Sequence, residues 1–146
     1  MKRIIGCGNL LMQDEGIGVH LVRHLQGQKL PDDVELVDGA TGGFDLLEVI
    51  KEAQKVIIVD AIKAGGKPGD IYRFGPEDYQ TESFPHTSLH DVSLKDIFEI
   101  IKLTGKLPQI TIFGVEPKTI DWGMELTDEV KVVLPRLGEL VLKEIS

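Results

Sequence analysis

Residues 56–59 (VIIV) form a continuous apolar run of strand length that ends at Asp60. A strand without polar alternation is typical of the centre of a parallel sheet whose two faces are covered by helices. Elsewhere along the chain, short apolar runs alternate with longer segments of helical period, and this order is typical of an α/β fold. Residues 56–59 are therefore predicted to form the central strand of a mainly parallel sheet.

The other elements are predicted from apolar spacing and from turn residues. Asp14 is expected to be the N-cap of the first helix, and Pro135 is expected to kink or split the last one. Only a short turn precedes residues 71–74, so this strand is expected to be antiparallel to its neighbour. The predicted strands are 3–8, 34–38, 56–59, 71–74 and 109–113, and the predicted helices are 16–27, a segment around 46–50, 94–104 and one that follows Thr127.

Length and composition favour one acidic domain that spans residues 1–146. A chain of 146 residues, 42% of them hydrophobic, buries roughly 68–70% of its unfolded surface in a single core. The net charge of -8 repels polyanions and makes nucleic acid an unsuitable partner. The single cysteine excludes an internal disulfide, and the apolar runs are too short for a signal peptide or a membrane span. We therefore expect a cytoplasmic enzyme or binding protein.

Three side chains that commonly bind metals are placed where they could share one edge of the sheet. Glu15 follows the first strand, Asp60 ends the central strand, and His90 precedes a helix within a long loop at 75–92. In open α/β sheets, ligands bind outside the carboxyl ends of the strands. Two carboxylates and one imidazole suit Ni²⁺, Zn²⁺ or Fe²⁺. The pattern predicts a metal site but does not choose the ion.

Each of these residues also has a simpler explanation. Glu15 is favourable in the first turn of a helix because of the helix dipole, and Asp60 is a suitable turn residue. His90 is also explained as a polar loop residue, and His86 competes with it for the role of ligand. Cys7 lies within a predicted strand, where a small buried side chain is the simplest interpretation.

Two other kinds of α/β site fit the residues less well. The stretch GCGN and Asp38 resemble parts of a dinucleotide-binding pattern, but Leu11 replaces the third glycine, and Asp14 and Glu15 would repel a pyrophosphate at the helix start. A phosphoacceptor receiver domain requires acids directly at the strand end and a lysine at the tip of the last strand. Here the acids come several residues later and the first such lysine is Lys118.

Five segments, taken together and in order, resemble the hydrogenase maturation endopeptidases. These proteins remove a C-terminal tail from the precursor of the large subunit of nickel-iron hydrogenases. The resemblance covers nearly the whole chain and is carried by GCGNLLMQDEGIGVHLVRHL, VDGATGG, VIIVDA, SLHDVSL and FGVEP.

The resemblance implies a fold and a set of metal contacts. The fold is a three-layer α/β structure, in which a twisted, mostly parallel five-stranded sheet with one antiparallel strand lies between helices. The metal contacts are Glu15, Asp60 and His90, which also serve in catalysis. Asp14 and Glu15 stand where many members have two aspartates.

The implied chemistry uses nickel that belongs to the substrate precursor rather than to the peptidase. The ion would polarise the scissile carbonyl or activate a water, and a carboxylate would act as base. The expected partner is the nickel-iron hydrogenase large-subunit precursor. A monomer is expected, because the apolar residues of the last helix are most simply core. The alternative is a nickel-binding hydrogenase assembly protein that does not cut its partner.

Overall fold

The protein forms a five-stranded sheet in the order β2-β1-β3-β5-β4. The computed structural model describes residues 1–40, 45–80 and 94–146, apart from the side chains of residues 79 and 80. Strand β4 is antiparallel to β5, and the other pairs are parallel. The predicted α/β sheet, with β3 at its centre and one antiparallel strand, is confirmed. The strands are β1 (Lys2–Cys7), β2 (Val34–Ala40), β3 (Lys55–Ala61), β4 (Ile71–Phe74) and β5 (Gln109–Val115).

Helices cover both faces of the sheet. Alternate residues of each central strand point to opposite faces, so Ile5 and Ile58 pack with α2 and α3, whereas Ile4 and Ile57 pack with α1 and α5. Among the described residues, no helix is both long enough and apolar enough to span a membrane. The helices are α1 (Ile17–Gln26), α2 (Asp45–Lys51), α3 (Leu94–Thr104), α4 (Asp128–Lys131) and α5 (Leu134–Ile145).

The structure tests the predicted start of the first helix and the predicted break in the last helix. The N-cap of α1 is Gly16, so the prediction that Asp14 fills this position is wrong. Asp14 instead lies in a 3₁₀ turn, Gln13–Gly16, and its carboxylate bonds to a distant part of the chain. The last helix is split as predicted: α4 ends at Lys131, and Pro135 lies in the first turn of α5, where its missing N–H is not needed.

Helix α1 lies directly on the backbone of β1 and β3 because two glycines face each other. A Cβ added at Gly6 would lie 2.0 Å from the carbonyl oxygen of Gly18. One added at Gly18 would lie 2.2 Å from the carbonyl oxygen of Val59 and 2.4 Å from that of Cys7. Side chains at these positions would therefore force the helix away from the sheet.

The glutamate of the FGVEP segment organises the loop that follows β3. Glu116 is buried, and its Oε1 accepts hydrogen bonds from the Ala64 N–H at 2.9 Å, the Gly66 N–H at 2.9 Å and the Tyr72 hydroxyl at 2.8 Å. Burial and this bond to Glu116 raise the pKa of Tyr72 to about 12. Glu116 thus has a structural role at the β4–β5 side of the sheet.

We predict that Gly18→Ala lowers the free energy of unfolding by about 3 kcal/mol or more, because the new methyl group collides with backbone rather than with movable side chains. Urea denaturation would measure the loss. Gly105→Ala is the matched control, since its Cβ would meet no atom within 4 Å and should change stability by no more than about 1 kcal/mol. Equal stability of the two variants would contradict the close contact.

A second prediction concerns alkaline pH. In the folded protein the pKa of Tyr72 is about 12, whereas in the unfolded chain the pKa of a tyrosine is about 10. This contribution to stability is therefore present below pH 10 and is lost as pH rises through 12. Denaturant midpoints measured across this window should fall more steeply for the wild type than for Tyr72→Phe. Parallel curves would contradict the assignment.

Candidate functional site

The carboxyl ends of β1 and β3 meet at the point where the strand order reverses. The chain leaves β1 towards β2 on one side and returns to β3 on the other. In open α/β sheets, this switch point is where ligands bind. Glu15 lies in the turn that follows β1, and Asp60 is the penultimate residue of β3.

The backbone of Glu15 and the side chain of Asp60 both lie close to Gly8. Gly8 has a φ of 121°, a conformation that favours glycine. A Cβ there would lie 1.8 Å from the carbonyl oxygen of Glu15 and 3.5 Å from Asp60 Oδ1. The two acidic residues are only 1% and 3% exposed. Two residues predicted to share a site are thus brought together.

Asp60 also makes the local bond that the simpler explanation predicted. Its Oδ1 accepts a hydrogen bond from the Ala61 N–H at 2.8 Å. This bond uses one lone pair of one oxygen, and a carboxylate has about four acceptor sites. The turn role and a role in ligand binding are therefore compatible.

A third carboxylate, Asp38, lies at the same edge of the sheet. Burial raises the pKa of the Cys7 thiol well above its usual value, and the charges of Asp60, Asp38 and Glu15 raise it further. The sequence pointed to Asp38 only as a ribose-binding acid. Asp38 lies near the end of β2, the strand that pairs with β1. This position in the predicted sheet is the sequence signal that could have placed Asp38 near Glu15 and Asp60.

A cavity of about 180 Å³ lies between the loop after β1, the end of β2 and α1. It is lined by Gly8, Asn9, Leu10, Val19, Asp38 and Ala40. Asp38 Oδ1 accepts the N–H of Ala40 at 2.9 Å, and Ala40 has a φ of 44°. The VDGATGG segment therefore has an unusual backbone conformation at Ala40, beside the cavity. Residues 41–43 of that segment lie outside the described chain.

The carboxylate of Asp14 bonds entirely to a segment more than a hundred positions later in the chain. Asp14 is fully buried. Its Oδ2 accepts from the Lys118 N–H at 2.9 Å, the Thr119 N–H at 3.1 Å and the Thr127 hydroxyl at 2.7 Å. Its Oδ1 accepts from the Thr127 N–H at 2.8 Å. No local motif predicted this role, since all the donors are distant in sequence.

Main-chain bonds attach the same turn to the same segment. The Gln13 N–H donates to the Gly123 carbonyl at 2.8 Å, and the Gly123 N–H donates to the Leu11 carbonyl at 2.9 Å. Gln13 has a φ of 51°, which for a residue with a side chain costs about 1–3 kcal/mol and persists only where the surroundings enforce it. The hydrogen bonds of Gly123 with Gln13 and Leu11 hold Gln13 in this conformation.

His90, the third predicted ligand, lies outside the described residues, as does its competitor His86. Within residues 1–40, 45–80 and 94–146, no three histidine, cysteine, aspartate or glutamate side chains are arranged to hold a metal ion. The structure therefore brings together Glu15 and Asp60 of the predicted trio. The place of His90 stays a prediction.

The fold defines an α/β protein with buried acidic residues at the switch point between β1 and β3. The family model described as hydrogenase maturation protease matches residues 19–144, so the chain belongs to the hydrogenase maturation protease family. It is accordingly a peptidase.

Relatives and solved structures agree with this membership. The chain is 33% identical over 142 residues to the hydrogenase 2 maturation protease of Escherichia coli K12, covering 95% of this chain and 87% of that one. It is 32% identical to the hydrogenase expression/formation protein HupD of Rhizobium leguminosarum bv. viciae, covering 96% of this chain and 71% of HupD.

Two solved structures share the fold over almost their whole length. The hydrogenase maturating endopeptidase HybD from E. coli superposes with a TM-score of 0.87 at 31% identity, covering 98% of this chain and 90% of HybD. The NiFe hydrogenase maturation protease HybD from Thermococcus kodakarensis superposes with a TM-score of 0.82 at 26% identity, covering 99% of each chain. The resemblance drawn from sequence motifs is confirmed.

We predict that Cys7 does not react with a thiol reagent in the native protein, because it is buried and its raised pKa keeps the thiol protonated. One equivalent should react once urea unfolds the chain. Asp32→Cys, which adds a thiol at an exposed position, is the control and should give one fast equivalent in the native state. Rapid native labelling of the wild type would contradict the buried position of Cys7.

Proposed function

We propose that this peptidase removes the C-terminal extension of a nickel-iron hydrogenase large-subunit precursor after nickel has been inserted. Each precursor molecule would be cut once. The observation that carries the proposal is the family match over residues 19–144 together with the burial of Glu15 and Asp60 near Gly8 at the switch point.

In this proposal, Glu15, Asp60 and His90 bind the nickel of the precursor. Like charges that lie close together repel one another, and buried charges are costly unless an opposite charge or hydrogen bonds offset them. A divalent cation would offset the charges of Glu15 and Asp60. Carboxylate and imidazole ligands both suit a borderline ion such as Ni²⁺.

Recognition of the substrate's own metal gives specificity for the loaded precursor. An unloaded precursor brings no cation to the two acids, so the complex lacks the contacts that favour it. The ligands would therefore distinguish finished from unfinished substrate. They would do so without a metal ion resident in the peptidase.

The same three residues support hydrolysis by two related routes. The ion would polarise the scissile carbonyl, or it would lower the pKa of the attacking water. A carboxylate at the site would accept the proton from that water. The glycines of the VDGATGG segment, which have no Cβ, would let the substrate backbone approach the site closely.

We further propose that the protein acts in the cytoplasm as a monomer. The single cysteine is free and buried, which suits a reducing compartment. The apolar residues of α5 support a monomer because they fill the core: Leu137, Val141 and Ile145 are fully buried. Light scattering during gel filtration would test the mass.

We predict that the purified protein cleaves the nickel-loaded precursor and not the nickel-free precursor. Mass spectrometry of the precursor before and after incubation would measure loss of a C-terminal peptide. Equal cleavage of both forms would contradict recognition through nickel. Cleavage of neither form, with stable binding to the loaded one, would instead support the non-catalytic assembly protein.

Substitutions at the proposed ligands should abolish cleavage without unfolding the chain. Glu15→Gln, Asp60→Asn and His90→Ala should each slow cleavage of the loaded precursor by at least about 100-fold, since each removes a metal contact or a base. Asp32→Asn, at an exposed acid, is the charge-matched control and should cleave normally. Wild-type rates in the three variants, with thermal melts that show folded protein, would refute the site.

A further inference from the structure

The turn that contains Glu15 is attached to the rest of the molecule through its neighbour Asp14. Glu15 donates its N–H to the Met12 carbonyl at 3.2 Å, which closes the turn. The Asp14 N–H donates to the Thr119 carbonyl at 3.2 Å, and the Asp14 carboxylate accepts bonds from the same segment. Movement of residues 118–127 would therefore move Glu15.

We propose that Asp14 is a positioning residue for Glu15. Its hydrogen bonds to residues 118–127 place the 13–16 turn. This turn fixes the position of Glu15, whose main chain lies next to Gly8 and near Asp60. This inference rests on the proposed function of Glu15 and adds the residues that fix its geometry. A ligand must be kept close to its productive position, and substitutions of supporting residues commonly cost about 10- to 100-fold in activity or affinity.

Thr127 is the most informative partner of Asp14. It supplies two of the four bonds, one from its N–H at 2.8 Å and one from its hydroxyl at 2.7 Å. Although Thr127 is the N-cap of α4, its side chain makes no capping bond to that helix. Removing the hydroxyl therefore weakens the attachment of Asp14 without removing a helix cap.

The sequence offers a matched control at another buried carboxylate. Glu116 is also nearly inaccessible. It accepts bonds from two backbone N–H groups and a hydroxyl, whereas Asp14 accepts from three N–H groups and a hydroxyl. It organises the loop after β3 rather than the 13–16 turn. Glu116→Gln should thus lower stability about as much as a change at Asp14. Unlike a change at Asp14, it should leave the position of Glu15 unchanged.

The first test measures cleavage of the nickel-loaded precursor by folded protein. Asp14→Asn should lower kcat by about 10- to 100-fold. Thr127→Val should lower kcat by several-fold, and KM should be nearly unchanged in both variants. Thr127→Ser, which restores the hydroxyl, should recover most of the wild-type kcat. Glu116→Gln should keep kcat within about twofold, the level expected of a change that affects stability alone. Equal losses of kcat in Glu116→Gln and Thr127→Val would overturn the proposal.

The second test does not depend on catalysis. The carboxyl ¹³C NMR resonance of Glu15, assigned by its loss in Glu15→Gln, should shift in Thr127→Val and return in Thr127→Ser. Thr127→Val leaves every charged group in place. A shift of the Glu15 resonance would therefore report a change in the position of Glu15 rather than a change in the net electrostatic field. An unmoved resonance would overturn the positioning role even if the wild type cleaves its substrate. A wild type that does not cleave would refute the proposed function, and the resonance would still decide the role of Asp14.

Discussion

The contact between Gly6 and Gly18 is the constraint on which the rest of the site depends. It lets α1 lie against the backbone of β1 and β3 with no side chains between them. Residues 7–17 must then pass from the end of β1 to the start of α1 within a very short distance. A tight 3₁₀ turn at Gln13–Gly16 satisfies this requirement, and Glu15 is consequently buried beside β1 rather than exposed on a loop.

The same close packing concentrates negative charge. Glu15, Asp60 and Asp38 all act on the sulfur of Cys7, which lies at the end of β1. Under the proposed function, a cation of the partner would meet this charge, so the favourable interaction would be made only with a metal-loaded substrate. Specificity for a metal-loaded substrate would then be a property of the sheet edge itself.

Much of the fold could be predicted because its signals are local. The apolar run at 56–59 predicted the central strand, and the short turn before residue 71 predicted an antiparallel strand. The nearness of Glu15 and Asp60 also followed, since the ends of neighbouring parallel strands meet at one edge. The N-cap prediction for Asp14 failed because a capping rule considers only the next few residues, whereas the donors to Asp14 are Lys118, Thr119 and Thr127.

The separation between Asp14 and its partners has a consequence for synthesis of the chain. The donors to its carboxylate are 104 to 113 positions later, so a ribosome must reach Lys118 before the first of them exists. A nascent chain that already contains Glu15 and Asp60 therefore still lacks the bonds that secure the turn between β1 and α1. The turn that holds Glu15 would be fully secured only after Thr127 has been synthesised.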